Sequence, residues 1–150
     1  MKKLKPLIVT FAILSLLFIW TNSFLSSGAS SRASGYFTRI LTPFLELIFG
    51  RGNVTEHLVR KLAHFSEYAF YGIWLALWMK ADERNALYAL FAGFVTAFLD
   101  ETIQMFTGRG PSIKDVWIDV FGITAGIGVI HIVIAIVRHC RERRKEQIST

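Results

Sequence analysis

The stretch from Asp100 to Gly126 reads DETIQMFTGRGPSIKDVWIDVFGITAG, and it joins the end of one very apolar segment to the start of another through a glycine-flanked turn. The polar side chains that it places in or beside those segments are Asp100, Glu101, Gln104, Arg109, Lys114, Asp115 and Asp119. Ionisable groups next to membrane-grade hydrophobic runs are costly and are typical of functional sites. The stretch therefore predicts a helical hairpin that, with one earlier helix, closes a polar site at one face of a membrane.

The composition favours a single membrane domain over residues 1–150. Hydrophobic residues make up 53% of the chain, whereas soluble domains have about 45–50% apolar residues even when glycine is counted. The net charge of +6 lies at the ends and in the loops, and no basic face suited to nucleic acid is present, so a nucleic-acid partner is not expected. The single cysteine, Cys140, excludes an intramolecular disulfide and a cysteine-rich metal site.

The apolar segments predict an all-α, polytopic membrane helix bundle with four transmembrane helices and a short interfacial helix. The first span is expected from Leu7 to about Leu25, after a basic N-terminus. A cleaved signal peptide is the alternative, and the length of the run favours a retained span.

A loop and an amphipathic helix are expected next. Ser26 to Gly35 is rich in serine and glycine, which indicates a loop. From Tyr36 to Phe49, apolar pairs recur every four residues and polar residues occupy the opposite face, which predicts an amphipathic helix. Pro43 predicts that this helix is bent or divided near its position. This helix is too short and too charged to span, so it is predicted to lie on the outer leaflet. A helix packed over the bundle is the alternative.

The second span is expected within a helix from Val54 to about Met79, with Asn53 as its N-cap and Glu56 as the capping-box partner. At about 100° per residue its polar side chains share one arc of roughly 120°. They are His57, Arg60, Lys61, His64, Glu67, Tyr68 and Tyr71. The pattern predicts a hydrated polar stripe along this helix that runs into the membrane.

The third span is expected from Ala86 to Phe106, after a tight polar turn. In its last turns Asp100 and Gln104 share a face, and Glu101 lies about 100° away from Asp100.

The fourth span is expected to begin near Ile113 and to run to Val137. Ser112 is its expected N-cap, with Asp115 at the capping-box position. Asp115 and Asp119 share a stripe with the Gly122–Gly126 pair, a small-xxx-small pattern that predicts close contact with a neighbouring helix.

The distribution of lysine and arginine predicts that both ends lie in the cytoplasm, with 138–150 as a basic cytoplasmic tail. The start of the second span, the end of the third and the start of the fourth then lie at the outer face. Eight polar side chains are expected to converge there: His64, Glu67, Asp100, Glu101, Gln104, Arg109, Asp115 and Asp119.

Four ordered blocks of the chain resemble the VanZ-like membrane family. KLAHFSEYAFYGIWL contains a His-Phe-x-Glu-Tyr pattern that begins at His64. FLDETIQMFTGRGPSIKDVWIDVFGITAGIG contains Asp-Glu-x-x-Gln-x-Phe, a Gly-Arg turn and Asp-x-x-x-Asp-x-x-Gly, where Asp119 stands in place of the asparagine of many members. The resemblance lies mainly within residues 54–137. It implies an envelope protein, because the family is named after a protein associated with teicoplanin resistance, and it leaves the molecular activity open.

The candidates for catalysis are His64, Glu67, Asp100 and Asp119. His64 and Glu67 are three residues apart on one face, a spacing that suits an acid/base pair or a metal pair. A helix-surface hydrogen bond that holds Glu67 in the bundle is the structural alternative. A divalent metal ion is the candidate cofactor, held by His64, Glu67 and Asp100.

The candidates for ligand binding are Gln104, Arg109, Asp115 and Glu101. Arg109 stands between two glycines and is suited to a phosphate or a carboxylate, with the following helix N-terminus adding its dipole; anchoring to lipid headgroups is the alternative. Glu101 is alternatively an ion-pair partner of Arg109 or Lys114, and Asp115 is alternatively a helix cap.

Three function classes remain open. The first is a protein that acts on or protects the cell envelope, linked by the resemblance to glycopeptide resistance, and that binds an anionic lipid or a glycopeptide target through Arg109. The second is a membrane-embedded enzyme acting on a lipid-linked or phosphate-bearing cell-wall precursor. The third is a small proton-coupled carrier, which ranks last because nothing polar marks an inner pathway. The lipid bilayer is the expected partner in every case.

Overall fold

The computed structural model describes residues 2–25, 27–108 and 112–149, and within those ranges it contains five α-helices. They are α1 (Lys5–Ser23), α2 (Ser27–Phe49), α3 (Glu56–Ala81), α4 (Leu87–Phe106) and α5 (Ile113–Ser149). Among these residues, α1, α4 and Ile113–Lys145 of α5 are long and apolar enough to cross a membrane. The predicted all-α membrane bundle is confirmed. The polar stripe of α3 keeps it below that level of apolarity, so a fourth crossing stays a prediction.

Helix α3 is the centre of the bundle, because it packs against α1, α2, α4 and α5. Its Tyr68 is fully buried, together with Ile19 of α1, Ala97 of α4 and Ile123 of α5. Between helices in lipid, close van der Waals packing rather than removal from water stabilises an interior of this kind. The same packing brings the polar stripe of α3 against three neighbouring helices.

Helices α3 and α5 approach each other closely enough for their backbones to touch. A Cβ added to Gly122 would lie 2.5 Å from the carbonyl oxygen of Phe65, and one added to Gly126 would overlap the carbonyl oxygen of Ala69. On the α3 side, a Cβ at Gly72 would lie 2.5 Å from the carbonyl oxygen of Ile123. Small residues let two backbones touch in this way. The predicted contact face of Gly122 and Gly126 is confirmed, and it turns Asp119, one turn earlier, toward α3.

The loop predicted for residues 26–35 is wrong for the described part of that range, because α2 already begins at Ser27. Serine and alanine are acceptable in helices, and packing on α3 supports this segment: Arg60 donates to Ser31 over 3.4 Å, and Gly35 lies against Glu56. Pro43 lies inside this one helix and does not divide it.

The cap predicted for α3 is also wrong. Thr55 is the N-cap, and its hydroxyl accepts a hydrogen bond from the Leu58 N–H at 3.2 Å. Asn53 donates its side-chain amide to the carbonyl oxygen of Phe49 at 2.8 Å, so it closes the turn after α2 instead. Both residue types cap helices well, and the turn geometry decides between them.

Lys5 and Asp82 form an ion pair at the end of the bundle where α1 begins and α3 ends, and their charged atoms lie 2.6 Å apart. The hydrogen bond from Lys5 lowers the pKa of the Asp82 carboxyl. This contact joins the start of α1 to the turn after α3, so these two helices are antiparallel. The basic segment expected as a tail continues α5 as a helix to Ser149.

Candidate functional site

Polar side chains from four helices meet at the end of the bundle opposite Lys5 and Asp82. They come from the end of α1, the first half of α3, the end of α4 and the start of α5. We call this group the polar cluster: Asn22, Ser23, His64, Glu67, Asp100, Gln104 and Asp119. The predicted convergence of His64, Asp100 and Asp119 is confirmed. The side of the membrane on which the cluster lies stays a prediction.

Asp100 is fully buried and is held from two helices. The hydroxyl of Ser23 in α1 donates to its Oδ1. The side-chain amide of Gln104, one turn later in α4, donates to its Oδ2 at 2.9 Å. A buried carboxylate needs such donors because taking it out of water is costly. These hydrogen bonds fix the direction in which the carboxylate points.

Asp119 is 1% exposed and faces His64. The distance from His64 Nδ1 to Asp119 Oδ1 is 3.6 Å, which is longer than a direct hydrogen bond. Among the described residues, neither carboxylate oxygen of Asp119 has a hydrogen-bond partner. A buried carboxylate in that condition calls for a proton or a cation beside it.

One ligand atom from each of His64, Asp100 and Asp119 can be chosen so that all three lie within 4.8 Å of one another. Among the described residues, these three side chains form a group that could hold a metal ion. The metal set expected from the sequence had Glu67 in place of Asp119. Glu67 lies outside the group, and its Oε1 accepts a hydrogen bond from Asn22 Nδ2 at 3.2 Å.

Two members of the cluster, Asn22 and Ser23, were missed by the sequence analysis. Their signal is a polar Thr-Asn-Ser run at the end of an apolar segment, which a membrane helix does not carry without reason. Thr107 strengthens the same junction by donating to the carbonyl oxygen of Ser23 at 3.3 Å. The first helix therefore contributes to the site as well as to anchoring.

The remaining ligand-binding candidates lie beside the cluster. Glu101 is buried, and it accepts a hydrogen bond from the Ser112 N–H. The capping partner predicted at Asp115 is therefore wrong, because α4 supplies that carboxylate to the start of α5. Asp115 Oδ1 lies 3.9 Å from the Lys61 ammonium instead. Arg109 lies outside the described residues.

A small depression lies beside the cluster and shares His64 with it. It is lined by His57, Arg60, Lys61, His64, Asp115 and Ile118. His64 belongs to both the depression and the cluster, with 17% of its side chain exposed. Arg60 Nε is buried and has no hydrogen-bond acceptor among the described residues. The depression thus carries two basic side chains against one carboxylate, and it contains a donor that an anion would satisfy.

A family model described as VanZ/LLP1 matches residues 8–135, which is most of the chain. The chain belongs to the VanZ/LLP1 family. The matched range of this VanZ/LLP1 protein begins in α1, so it includes Asn22 and Ser23 with the rest of the polar cluster.

Among curated proteins, the uncharacterized membrane protein YwnJ of Bacillus subtilis (strain 168) is 33% identical over 84 residues. The alignment covers 55% of this VanZ/LLP1 chain and 56% of the relative, so about half of each protein is compared. No solved structure matches the chain.

Proposed function

We propose that this VanZ/LLP1 protein acts on the cell envelope by binding the phosphate of a membrane lipid or of a lipid-linked envelope precursor. The observation that carries the proposal is the basic depression that leads to His64. The side chains of Arg60 and Lys61 give it a charge that suits an anion such as a headgroup phosphate. The family name supports a link to glycopeptide resistance, which the proposal includes as the outcome in cells.

Arg60 and Lys61 are the residues proposed to contact the phosphate. Arg60 keeps its buried Nε without an acceptor among the described residues, and its Nη2 makes a long 3.4 Å contact with Ser31. The 3.9 Å separation of Lys61 from Asp115 leaves that ammonium with its own hydrogen-bond donors available. Charge-assisted hydrogen bonds from arginine and lysine to phosphate are among the strong ones in proteins.

A membrane-embedded enzyme that acts on the same precursor is the second candidate. The favouring observation is that His64 lines the depression on one side and faces Asp119 on the other. An imidazole between a bound phosphate ester and a buried carboxylate is placed for proton transfer. The two candidates differ in what happens to the bound precursor. A binding protein leaves it unchanged, whereas an enzyme hydrolyses it or transfers part of it.

The binding test uses the full chain purified in detergent and native mass spectrometry. Phosphatidylglycerol and a polyprenyl phosphate are added in separate arms, so that bulk lipid and lipid-linked precursor are distinguished. An Arg60→Gln/Lys61→Gln variant is expected to lose at least about tenfold in affinity for the preferred lipid, because two charged contacts of about 1.5–3 kcal/mol each are removed. Arg84→Gln, an exposed arginine in the turn before α4, is the matched control and keeps the affinity of the wild type.

The cell test measures teicoplanin susceptibility and the profile of lipid-linked precursors in a deletion strain. The wild type and the Arg84→Gln variant are expected to restore both, and the double variant is expected to fail. If the double variant restores teicoplanin susceptibility and the precursor profile as the wild type does, the basic depression is not required for function in cells. Equal lipid binding by the double variant would reject the proposed phosphate contacts directly.

A further inference from the structure

We propose that His64, Asp100 and Asp119 bind a divalent metal ion, of the kind that accepts one imidazole and two carboxylates. The site lies deeper than the depression proposed to bind phosphate. It shares His64 with that depression, but its other ligands come from α4 and α5, and the proposed phosphate contacts, Arg60 and Lys61, are not among its ligands. The proposal therefore goes beyond lipid binding and does not depend on it.

The spacing of the side chains suits metal ligands better than a direct hydrogen bond. His64 Nδ1 and Asp119 Oδ1 are 3.6 Å apart. Two ligand atoms bound tetrahedrally at about 2.1 Å from an ion lie about 3.4 Å from each other. The observed separation is thus close to that of two ligands on one ion. The carboxylate of Asp100 completes a group whose chosen atoms lie within 4.8 Å of one another.

The condition of Asp119 is the second, independent observation. The residue is 1% exposed, it points into the group, and neither of its carboxylate oxygens has a hydrogen-bond partner among the described residues. Buried polar groups are normally satisfied, and those that are not call for an explanation such as an ion. Two carboxylates and a neutral imidazole carry a charge of about −2 when ionised, which a divalent cation neutralises.

The surroundings of Asp100 resemble the outer shell of a metal site. Ser23 donates to one oxygen of this carboxylate and Gln104 donates to the other. Metal-bound carboxylates are commonly oriented by such hydrogen bonds, and removing one typically lowers metal affinity about 10–100-fold.

The ligand types select among divalent ions. Imidazole suits Zn²⁺ and other transition ions, carboxylate suits Mn²⁺ and Mg²⁺, and a mixed set of one histidine and two aspartates favours Zn²⁺ or Mn²⁺. Mg²⁺ usually keeps several waters and uses oxygen ligands, so it is expected to bind more weakly. Three protein ligands also leave a coordination position open, as in catalytic zinc sites.

The test measures metal content and affinity in the full chain, purified in detergent and freed of metal with a chelator. Zn²⁺, Mn²⁺ and Mg²⁺ are then added singly, and bound metal is counted by inductively coupled plasma mass spectrometry. The wild type is expected to bind about one Zn²⁺ or Mn²⁺ per chain, as one three-ligand site requires. Asp119→Asn is expected to lose at least about tenfold in affinity, as loss of a charged ligand exceeds the loss of an outer-shell partner.

Glu142→Gln is the matched control, because it removes an exposed carboxylate of the same helix that lies outside the ligand group. It is expected to bind metal as the wild type does. Ser23→Ala keeps all three ligands, and its affinity is expected to fall about 10–100-fold. This variant decides the question if Asp119→Asn does not elute as a folded species.

A wild-type protein that binds neither Zn²⁺ nor Mn²⁺ would overturn the proposal. So would unchanged metal affinity in a folded Asp119→Asn variant, or in Ser23→Ala if the aspartate variant does not fold. A proton would then be the occupant of the cluster. The Arg60→Gln/Lys61→Gln variant is expected to keep its metal, so failure of phosphate binding and failure of metal binding give different results.

Discussion

Replacing Gly122 with alanine tests whether close packing of α3 and α5 positions the polar cluster. The added Cβ would lie 2.5 Å from the Phe65 carbonyl oxygen, 3.1 Å from Tyr68 Cβ and 3.2 Å from the Ala69 nitrogen. The first of these atoms belongs to the backbone and cannot rotate away. Restoring a contact of about 3.4 Å requires the two helices to separate by about 0.9 Å, and overpacking of this kind costs about 1–3 kcal/mol.

Gly128→Ala is the matched control. It lies in the same helix, and a Cβ at this position would meet nothing within 4 Å. Both variants gain the helix propensity of alanine, about 1 kcal/mol, so their difference isolates the cost of the clash. At about 2–4 °C per kcal/mol for chains of this length, Gly122→Ala is expected to unfold about 2–12 °C below Gly128→Ala.

The assay is thermal unfolding of the detergent-purified variants, followed by intrinsic tryptophan fluorescence. A Gly122→Ala protein as stable as Gly128→Ala would refute the close α3–α5 contact. Gly122→Ala is also expected to weaken metal binding, because Asp119 lies one turn before the clash and moves away from α3. Loss of stability with unchanged metal affinity would uncouple the helix contact from the proposed metal site.

Three further predictions concern single contacts. Ser23→Ala removes a donor from a buried carboxylate and should cost about 1–3 kcal/mol of unfolding free energy, whereas Thr21→Ala, which loses an exposed bond within its own helix, should have little effect in the same measurement. Glu101→Ala, which removes the acceptor of the Ser112 N–H, should destabilise the start of α5 by about 0.5–2 kcal/mol, while Asp115→Ala leaves thermal stability nearly unchanged; the reverse order would restore Asp115 as the cap. The lysine hydrogen bond lowers the pKa of Asp82 in the folded protein, so its stabilisation is present above the unfolded value of about 3.9 and is lost as pH falls through the folded value. Asp82→Asn should therefore melt below the wild type at neutral pH and together with it in strong acid, and an equal difference at both pH values would contradict this.

Much of the architecture was predictable because apolar periodicity and polar interruptions are properties of the sequence itself. The third span was expected from Ala86 to Phe106, and α4 runs from Leu87 to Phe106. Asp100 and Gln104 were placed on one helix face by their spacing, and both are buried. The convergence followed from alternating helix directions, which put the end of one helix beside the start of the next.

The remaining features depend on contacts between distant parts of the chain. The serine- and glycine-rich segment before Tyr36 has no strong preference of its own for helix or loop. In the folded protein it is helical, and it belongs to a helix that packs on α3. Asn53 and Thr55 are chemically similar caps, as are Asp115 and Glu101 for the start of α5. Spacing in the sequence does not choose between such pairs, because the choice depends on which carboxylate or hydroxyl the fold brings to the helix start.

The polar stripe of α3 has a consequence for how the chain is inserted during synthesis. Charged and histidine side chains at the centre of a translocating helix oppose its transfer into lipid by about 2.5–3.5 kcal/mol for each fully charged group. Helix α3 is less apolar than α1, α4 or α5, so we expect it to enter the bilayer poorly alone. Stable integration of α3 should wait until α4 and α5 have been made and can cover the stripe. In chains truncated after α3, the helix should therefore be labelled by a water-soluble reagent more readily than in the complete protein, while α1 keeps both chains in the membrane.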